Sequence, residues 1–432
     1  MNSYILHIDG DAFFASVEIS RRPDLQGSAV VVGEERGIAC ALTYEAKKLG
    51  VYRGMPIFQI RQQFPKVIVL SSHFELYEKY NANLVKILNE YLPVVEPYSI
   101  DECFTLLPQM EKEEISEFVK MLKNKVQTSL GITFSFGVST TKTLAKIASK
   151  KEKPNGCTLL IEENEITEAL KETQVGAVWG IGRQISASLL SKNIKTAFEF
   201  INTPREVIKE LFSEPVVETW EELRGIKISE VSAEQTDQKS IQSTRAFIKA
   251  SPACHRLQAQ PMADRSLVEQ EIFSELSRNI EVGCENLRSA NLFTNSVSAF
   301  LKHADGLRGR ESVSTILPMY TQDPKVILKF LRPLISSIYE KNIRYKATGI
   351  ALLNLKRQNY ITDDLFGSQS THLSKNKHLE VIDALNRKFG DFSIMNATSL
   401  SAVSKRREEF LKREKKDSYE YNLPLPYMGE AF

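Results

Sequence analysis

The sequence predicts an α+β chain of several domains, and three observations carry that expectation. Short apolar runs alternate with amphipathic stretches as far as Lys151. Short helical segments without a strand pattern follow from Val175 to about Ser232. A second set of strands and amphipathic helices begins beyond the polar run from Ala233 to Ser240. At 432 residues the chain exceeds one ordinary core, and 42% hydrophobic with 25% charged residues excludes a disordered chain, a collagen-like fibre and a coiled-coil rod.

The elements follow in order. Residues 4–8 are apolar and run into Asp9-Gly10-Asp11, a buried strand that delivers carboxylates at its end. Ala12 to Glu18 is helical, with Asp11 placed as its N-cap. Ala29 to Gly33 and Gly37 to Leu42 are short strands, and Tyr44 to Gly50 is a helix closed by glycine. Pro56 to Gln63 is a further helix and Val67 to Leu70 a further strand; residues 74–91 are an amphipathic helix. Val94 to Leu106 reads as a β-hairpin turning near Pro97. Glu111 to Ser129 is helix, Ile132 to Val138 alternates like a strand, and Thr141 to Lys151 is helix. With one insertion after the first helix, this is a βαββαβ core, a small antiparallel sheet backed by helices. Past the linker, strands at 241–248, 293–301 and 346–355 and helices at 265–283 and 324–341 make a second α+β module.

Several function classes fall away. No stretch reaches the roughly 18 consecutive apolar residues that span a bilayer. The start, Met1 to Asp9, has no basic segment before a carboxylate intervenes, unlike a secretory leader. The five cysteines are far apart with no Cys-x-x-Cys pair, so a reducing, cytoplasmic setting is expected. Charge is unevenly spread. Ser240 to Tyr360 holds 17 Lys and Arg against 10 Asp and Glu, Ile361 to Phe432 is balanced at 11 against 11, and the first half is acidic. That pattern fits carboxylate chemistry in one place and polyanion binding in another, and equally chance clustering of surface charge.

Asp9 ends one strand, and Asp101 and Glu102 lie in a hairpin much later in the chain. Neighbouring strands stand about 4.8 Å apart, so these carboxylates can converge. Gathered carboxylates repel one another unless a cation is present. A pair of Mg²⁺ ions removes that cost and can assist both the attacking and the leaving oxygen in phosphoryl transfer. Ordinary surface carboxylates at strand ends have the same spacing, and spacing leaves both readings open.

Four motifs narrow the choice. The run Ile8-Asp9-Gly10-Asp11-Ala12-Phe13-Phe14-Ala15-Ser16-Val17-Glu18 resembles the first motif of the Y-family, translesion DNA polymerases. Tyr98-Ser99-Ile100-Asp101-Glu102 resembles their second. Gly137-Val138-Ser139, then Lys142 to Ser149 and Lys153-Pro154-Asn155-Gly156, resemble their third, and Val178 to Arg183 resembles their thumb. The resemblance runs from residue 4 to about 355. Ser71 to Tyr77, the thumb motif, Ile343 to Ile350 and the long tail bring it nearest the UmuC type, the catalytic subunit of bacterial DNA polymerase V.

The resemblance implies a right-hand polymerase. Its parts would be a palm at 1–12 and 74–169, fingers at 13–73, a helical thumb with a helix-hairpin-helix at 170–232, a linker at 233–240, a little finger at 241–355 and a C-terminal extension at 356–432. Asp9, Gly10 (through its carbonyl), Asp101 and Glu102 would hold two Mg²⁺ ions, and Asp9, Asp101 and Glu102 would be catalytic. Phe13 and Phe14 would lie at the nucleotide, with Phe14 as the ring that excludes a 2′-hydroxyl. Tyr44, Lys47 and Lys153 would hold the triphosphate. Lys146, Gly180, Gly182 and Arg183 would touch DNA, the glycines by letting backbone N–H groups approach a phosphate. Small Gly37, Ala39 and Ala41, with Ile38 and Cys40, would roof the templating base loosely enough to admit damage. Leu365 and Phe366 would dock on a sliding clamp, although Thr362 stands where relatives carry glutamine. A processed UmuD dimer and RecA are the further partners implied, together with error-prone synthesis in the SOS response, no proofreading domain and a place at the nucleoid. A palm-type nucleotidyl cyclase would explain the carboxylates but not the glycine hairpin or the basic module. A catalytically dead DNA-binding subunit is opposed by the intact carboxylates.

Overall fold

The computed structural model describes residues 3–233, 238–247, 265–304, 309–340, 343–362 and 377–404. The chain divides into two units, drawn from Met1–Gln235 and Thr236–Glu420. The first is organised on strand β1 (Ile5–Gly10), which is buried at every position. β1 is the middle strand of a five-stranded sheet. Its neighbours are β6 (Glu102–Leu106) on one side and β7 (Phe134–Ser139) on the other; β5 (Val95–Pro97) and β8 (Cys157–Leu159) form the edges. Asp9 stands opposite Glu102 in one antiparallel register and opposite Ser135 in the other. The connections are α1 (Phe13–Ser20), the inserted segment, α4 (Phe74–Asn89), α5 (Lys112–Leu130) and α6 (Lys142–Lys151). The expected βαββαβ order is therefore present, extended by α6 and the parallel strand β8.

Strand alternation decides what each face of this sheet carries. Leu6, Ile8, Cys103, Phe134, Phe136 and Val138 point to one side. There they meet Tyr77, Leu84 and Leu88 of α4 and Ile115, Val119, Leu122 and Val126 of α5, apolar stripes with helical spacing. Each such side chain, fully buried, contributes about 1.5–3 kcal/mol. Ile5, His7, Asp9, Glu102 and Phe104 belong to the opposite face, where α6 lies. Gly137 makes that approach close: a Cβ there would come within 2.1 Å of the Ser149 backbone nitrogen and 2.3 Å of the Ala145 carbonyl oxygen.

One expectation about this unit changes. Asp11 does not cap α1: the N-cap is Ala12, at φ 48°, with no side-chain cap. The carboxylate of Asp11 is engaged elsewhere, accepting from Ser135 Oγ and from the Asn155 backbone N–H, both at 2.7 Å. The hairpin turns just past Pro97, the last residue of β5, through Tyr98–Asp101, with the Tyr98 and Ser99 N–H groups donating to the Glu102 carbonyl. And β8, only three residues long, has no periodicity to betray it.

The inserted segment forms a small sheet of β2 (Val30–Val32), β3 (Ala41–Leu42) and β4 (Ile68–Leu70) with α2 (Tyr44–Lys48) and α3 (Ile57–Gln63) over its own core. After β8 come α7 (Glu163–Glu172), α8 (Arg183–Ser191), α9 (Ala197–Ile201), α10 (Arg205–Leu211) and α11 (Glu214–Leu223). They pack around Phe200, Trp220 and Leu223, and Leu144, Ile147 and Ala148 of α6 belong to the same cluster. Glu222 of α11 is buried, and its carboxylate accepts from the Thr143 N–H at 3.0 Å while its carbonyl accepts from Thr141 Oγ1 at 2.9 Å. A carboxylate at this N-terminus satisfies a free backbone donor and matches the helix dipole.

The second unit is an antiparallel sheet in the order β11 (Arg310–Thr321), β10 (Leu292–His303), β12 (Tyr345–Leu353) and β9 (Ile241–Ala246), with the two-residue β13 (Lys356–Arg357) beside β10. Helices α12 (Arg265–Ser289) and α13 (Pro324–Ile338) contribute to its core. The expected strands and helices are all present. β11 was not foreseen, because its sequence is polar and carries Pro318; both properties suit an edge strand. A further helix, α14 (Lys377–Phe389), is tied to α12 by a two-pronged bond from Arg288 to Asp383, at 2.5 and 2.7 Å.

Replacing Gly137 with alanine should lower thermal stability by about 3 kcal/mol or more, because the added carbon meets backbone rather than a movable side chain. A melting curve against wild type checks this; an unchanged midpoint would mean that α6 does not depend on this contact.

Candidate active site

Because Asp9 and Glu102 are paired across β1 and β6, their side chains leave the sheet on the same face, side by side. The ligand atoms of His7, Asp9 and Glu102 all lie within 4.8 Å of one another. Asp101 sits in the turn before β6, and its carbonyl accepts the Gly10 N–H at 2.9 Å, locking the turn to the end of β1. Its carboxylate accepts from Ser99 Oγ and stays outside the tight cluster, yet its charge still acts on Asp9.

Two lysines face the carboxylates. Lys153 makes an ion pair with Asp9 and lies 3.9 Å from Asp11. Lys146 of α6 donates to Glu102 Oε2 at 2.6 Å. Its ammonium also lies 4.8 Å from the Tyr98 ring centre and 5.3 Å from that of Trp179, whose Nε1–H donates to the Tyr98 hydroxyl at 3.2 Å. Lys146, expected at DNA, is therefore engaged within the protein. It is almost fully buried, at 7% exposure, and is committed to Glu102 and two aromatic rings. One turn earlier, Lys142 binds both oxygens of Glu96, at 2.7 and 2.8 Å.

Burial pushes the Asp9 carboxyl up to about 6, with Glu102 and Asp101 adding to the rise and Lys153 opposing it. Burial acts on Glu102 in the same direction, but the His7 ring and the Lys146 ammonium outweigh it and hold that group at about 2. Burial also lowers His7 to about 4, leaving a neutral imidazole at working pH. Its Nδ1 is 2.7 Å from Ser149 Oγ, while its Nε2, 3.9 Å from Glu102, has no hydrogen-bond partner among the described residues. Two convergent carboxylates, a third in the adjoining turn and an unpartnered buried nitrogen suit a divalent cation, whose charge would relieve the strain on Asp9. His7 went unrecognised in the sequence. Its signal was the alternation that places it on the same face as Asp9.

Around this centre the other expected residues divide. Phe14 stacks on Tyr77 with ring centres 4.3 Å apart and planes at 10°, and meets Phe74 edge-on at 5.4 Å. Phe13 is instead core, 3% exposed and packed toward Phe134. Tyr44 begins α2, capped by Thr43, and lies close enough to Asp11 and Asp9 that, after burial, they push its hydroxyl up to about 12. Lys47 is exposed, with its ammonium 4.5 Å from the Tyr44 ring centre. Ala39 is buried in the core of the inserted segment, whereas Ile38 is exposed and Cys40 and Ala41 half-buried. Gly180 has φ +89°, and a Cβ there would meet Thr219 Oγ1 at 2.6 Å; Gly182 is the N-cap of α8, and Arg183 is exposed. Leu365 and Phe366 lie outside the described residues. No described helix is long and apolar enough to cross a membrane.

The raised Asp9 carboxyl has a consequence for stability. Between 3.8 and about 6 folding takes up a proton, so this group makes stability fall as pH rises through that window. Asp9→Asn should therefore be more stable than wild type at pH 7, by roughly 1–3 kcal/mol, and the difference should shrink toward pH 4. Denaturant melts of metal-free protein at both pH values test it; equal stability at pH 7 would contradict the assignment.

Comparison with known proteins gives this geometry a family. Two models described as the impB/mucB/samB family and its C-terminal domain match residues 8–150 and 262–365. Protein UmuC of Salmonella typhimurium is 29% identical over 396 residues, covering 88% of this chain and 90% of its own. DNA polymerase IV of Streptococcus pyogenes is 28% identical over 360 residues, covering 82% and 93%. DNA polymerase IV of Desulfatibacillum aliphaticivorans is 27% identical over 407, covering 93% and 98%. Among solved structures, a Y-family DNA polymerase chimera superposes with a TM-score of 0.66 and DinB from Sulfolobus solfataricus with 0.51. Each is 22% identical and covers 82% of this chain and 99% of its own, a likeness of fold. With matched models across more than half its length, the chain belongs to the impB/mucB/samB family, and its fold is that of the Y-family DNA polymerases.

Proposed function

We propose that the chain performs error-prone, template-directed DNA synthesis past damaged bases, joining a deoxynucleotide to a primer 3′ end at the Asp9–Glu102 site. The observation that carries this is the register of β1 against β6, which holds two acidic side chains together at one end of a rigid sheet beside a third in the turn. In this reading β1, β5–β8, α4–α6 and most of α7 are the palm, α1, β2–β4, α2 and α3 the fingers, the end of α7 with α8–α11 the thumb and the second unit's sheet the little finger.

Asp9, the Gly10 carbonyl, Asp101 and Glu102 would hold two Mg²⁺ ions. Bound there, the ions would supply charge that sharpens the 3′-hydroxyl as a nucleophile and steadies the departing pyrophosphate. The chain's own residues do the rest. Lys146 keeps Glu102 ionised and fixed in direction. Lys153 and Lys47, with Tyr44, offer point charges and a hydroxyl to the triphosphate. Phe14, backed by Tyr77, presents a flat ring where a ribose 2′-oxygen would fall. Gly180, Gly182 and Arg183 at the start of α8 offer backbone N–H groups and a cation to a DNA phosphate without reading sequence. The basic module from Ser240 to Tyr360 clamps the duplex, and its grip should weaken with salt. A sliding clamp at Leu365 and Phe366, a processed UmuD dimer and RecA are the partners proposed, in an SOS role at the nucleoid.

Primer extension on undamaged and abasic templates, with and without those partners, tests the reading. Asp101→Ala should reduce extension by at least about a thousandfold while DNA binding stays within about threefold; persistent extension would overturn the metal assignment. Phe14→Ala should raise ribonucleotide use relative to deoxynucleotide use by about two orders of magnitude; an unchanged ratio would remove Phe14 as the gate.

A further inference from the structure

The gate ring is not held by apolar packing alone. Phe14 and Glu18 are four residues apart on α1 and therefore share a helix face. Tyr77 of α4 bridges them. Its ring lies flat on Phe14, 4.3 Å centre to centre, and its hydroxyl donates to Glu18 Oε1 at 2.5 Å. The same oxygen is 2.9 Å from His73 Nδ1, just before α4. Phe74 closes the cluster, edge-on to both rings, and the Arg36 guanidinium stands 4.7 Å over it.

Glu18 is 1% exposed, and its second oxygen, Oε2, has no hydrogen-bond partner among the described residues. Burying a carboxylate with half its acceptors unmet is costly, and an apolar residue would join α1 to α4 at less expense. The carboxylate is placed so that it can direct the Tyr77 hydroxyl. Burial and the Glu18 charge raise the Tyr77 hydroxyl far above its usual range, so it stays a donor. The bond to Glu18 likewise raises His73, against its burial.

We infer that Glu18 is a positioning residue for sugar selection: by anchoring the Tyr77 hydroxyl it fixes the plane of the Tyr77 ring, and through that ring the height of Phe14 beneath the incoming sugar. A hydrogen bond to a charged acceptor is directional where ring stacking is not, so it removes the sliding motion that would let Phe14 drop away from a 2′-hydroxyl. The inference rests on the reading of Phe14 as the gate.

The test measures kcat/KM for each ribonucleotide and its deoxynucleotide on one primer-template, with wild type, Phe14→Ala, Tyr77→Phe, Glu18→Ala and the Tyr77→Phe/Glu18→Ala double variant, each checked for its melting temperature. Tyr77→Phe keeps the ring and the packing and removes only the hydroxyl. It should raise the ribo/deoxy ratio about tenfold with the deoxynucleotide value nearly unchanged. Glu18→Ala should do the same, and the double variant should be no worse than either single change, since both cut one chain of contacts. A ratio unchanged in Tyr77→Phe, while Phe14→Ala relaxes it, overturns this inference and leaves the gate standing. Full additivity in the double variant overturns the claim that Glu18 acts through Tyr77. A ratio unchanged even in Phe14→Ala overturns the gate reading, and this inference with it.

Discussion

The structure turns on two acidic residues facing each other across adjacent strands. Asp9 and Glu102 are neighbours because β1 and β6 are hydrogen-bonded in register, and like charges so placed repel. Nothing in folding favours that pairing, and its cost adds to the burial that chiefly raises the Asp9 carboxyl. The surrounding molecule offsets it. Lys146 and Lys153 bring positive charge, α6 is pressed onto the sheet at Gly137 to deliver Lys146, and Glu222 of the following helical layer caps α6. Apolar packing on the far face of the sheet provides the rigidity that keeps the carboxylates from moving apart.

The same sheet separates stability from chemistry by the period of a strand. One face is closed by α4 and α5 with apolar stripes. The other carries His7, Asp9, Glu102 and Phe104, covered by a helix whose contacts are partly ionic. Phe13 and Phe14 divide likewise at the start of α1: consecutive helix residues point about 100° apart, so one ring joins the core and the other turns toward Tyr77. Aromatic residues also tie the helical layer to this face, through Tyr98, Phe104 and Trp179 around Lys146.

Relatives matched over more than four-fifths of both chains include one called UmuC and others called DNA polymerase IV. The matched family models cover residues 8–150, from the end of β1 into α6, and residues 262–365, from α12 past β13. Helix α14 lies beyond them, yet it is anchored on α12 by a half-buried two-pronged ion pair between Arg288 and Asp383, which makes it part of the second unit's architecture.

Local pattern alone determined much of this protein. The apolar run ending in Asp9-Gly10-Asp11, the hairpin with Asp101-Glu102, the 3.6-residue stripes of α4 and α5 and the linker near 235 depend on near neighbours in the chain, so the strand order and the acidic residues were legible from it. Strand alternation also contained the signal for His7, although nothing local said that its ring would meet Glu102. Only the tertiary structure decided which groups partner which. Lys146 goes to Glu102, Asp11 to the Asn155 turn rather than to its own helix, Ala39 to a core, and Glu18 to Tyr77 and His73. β8 and β11 belong to the same class: one is too short for periodicity, the other too polar, and each exists because a neighbouring strand supplies its hydrogen bonds. Charge pairing and edge-strand addition are contacts between residues far apart in sequence, and their energies depend on burial that no local window contains.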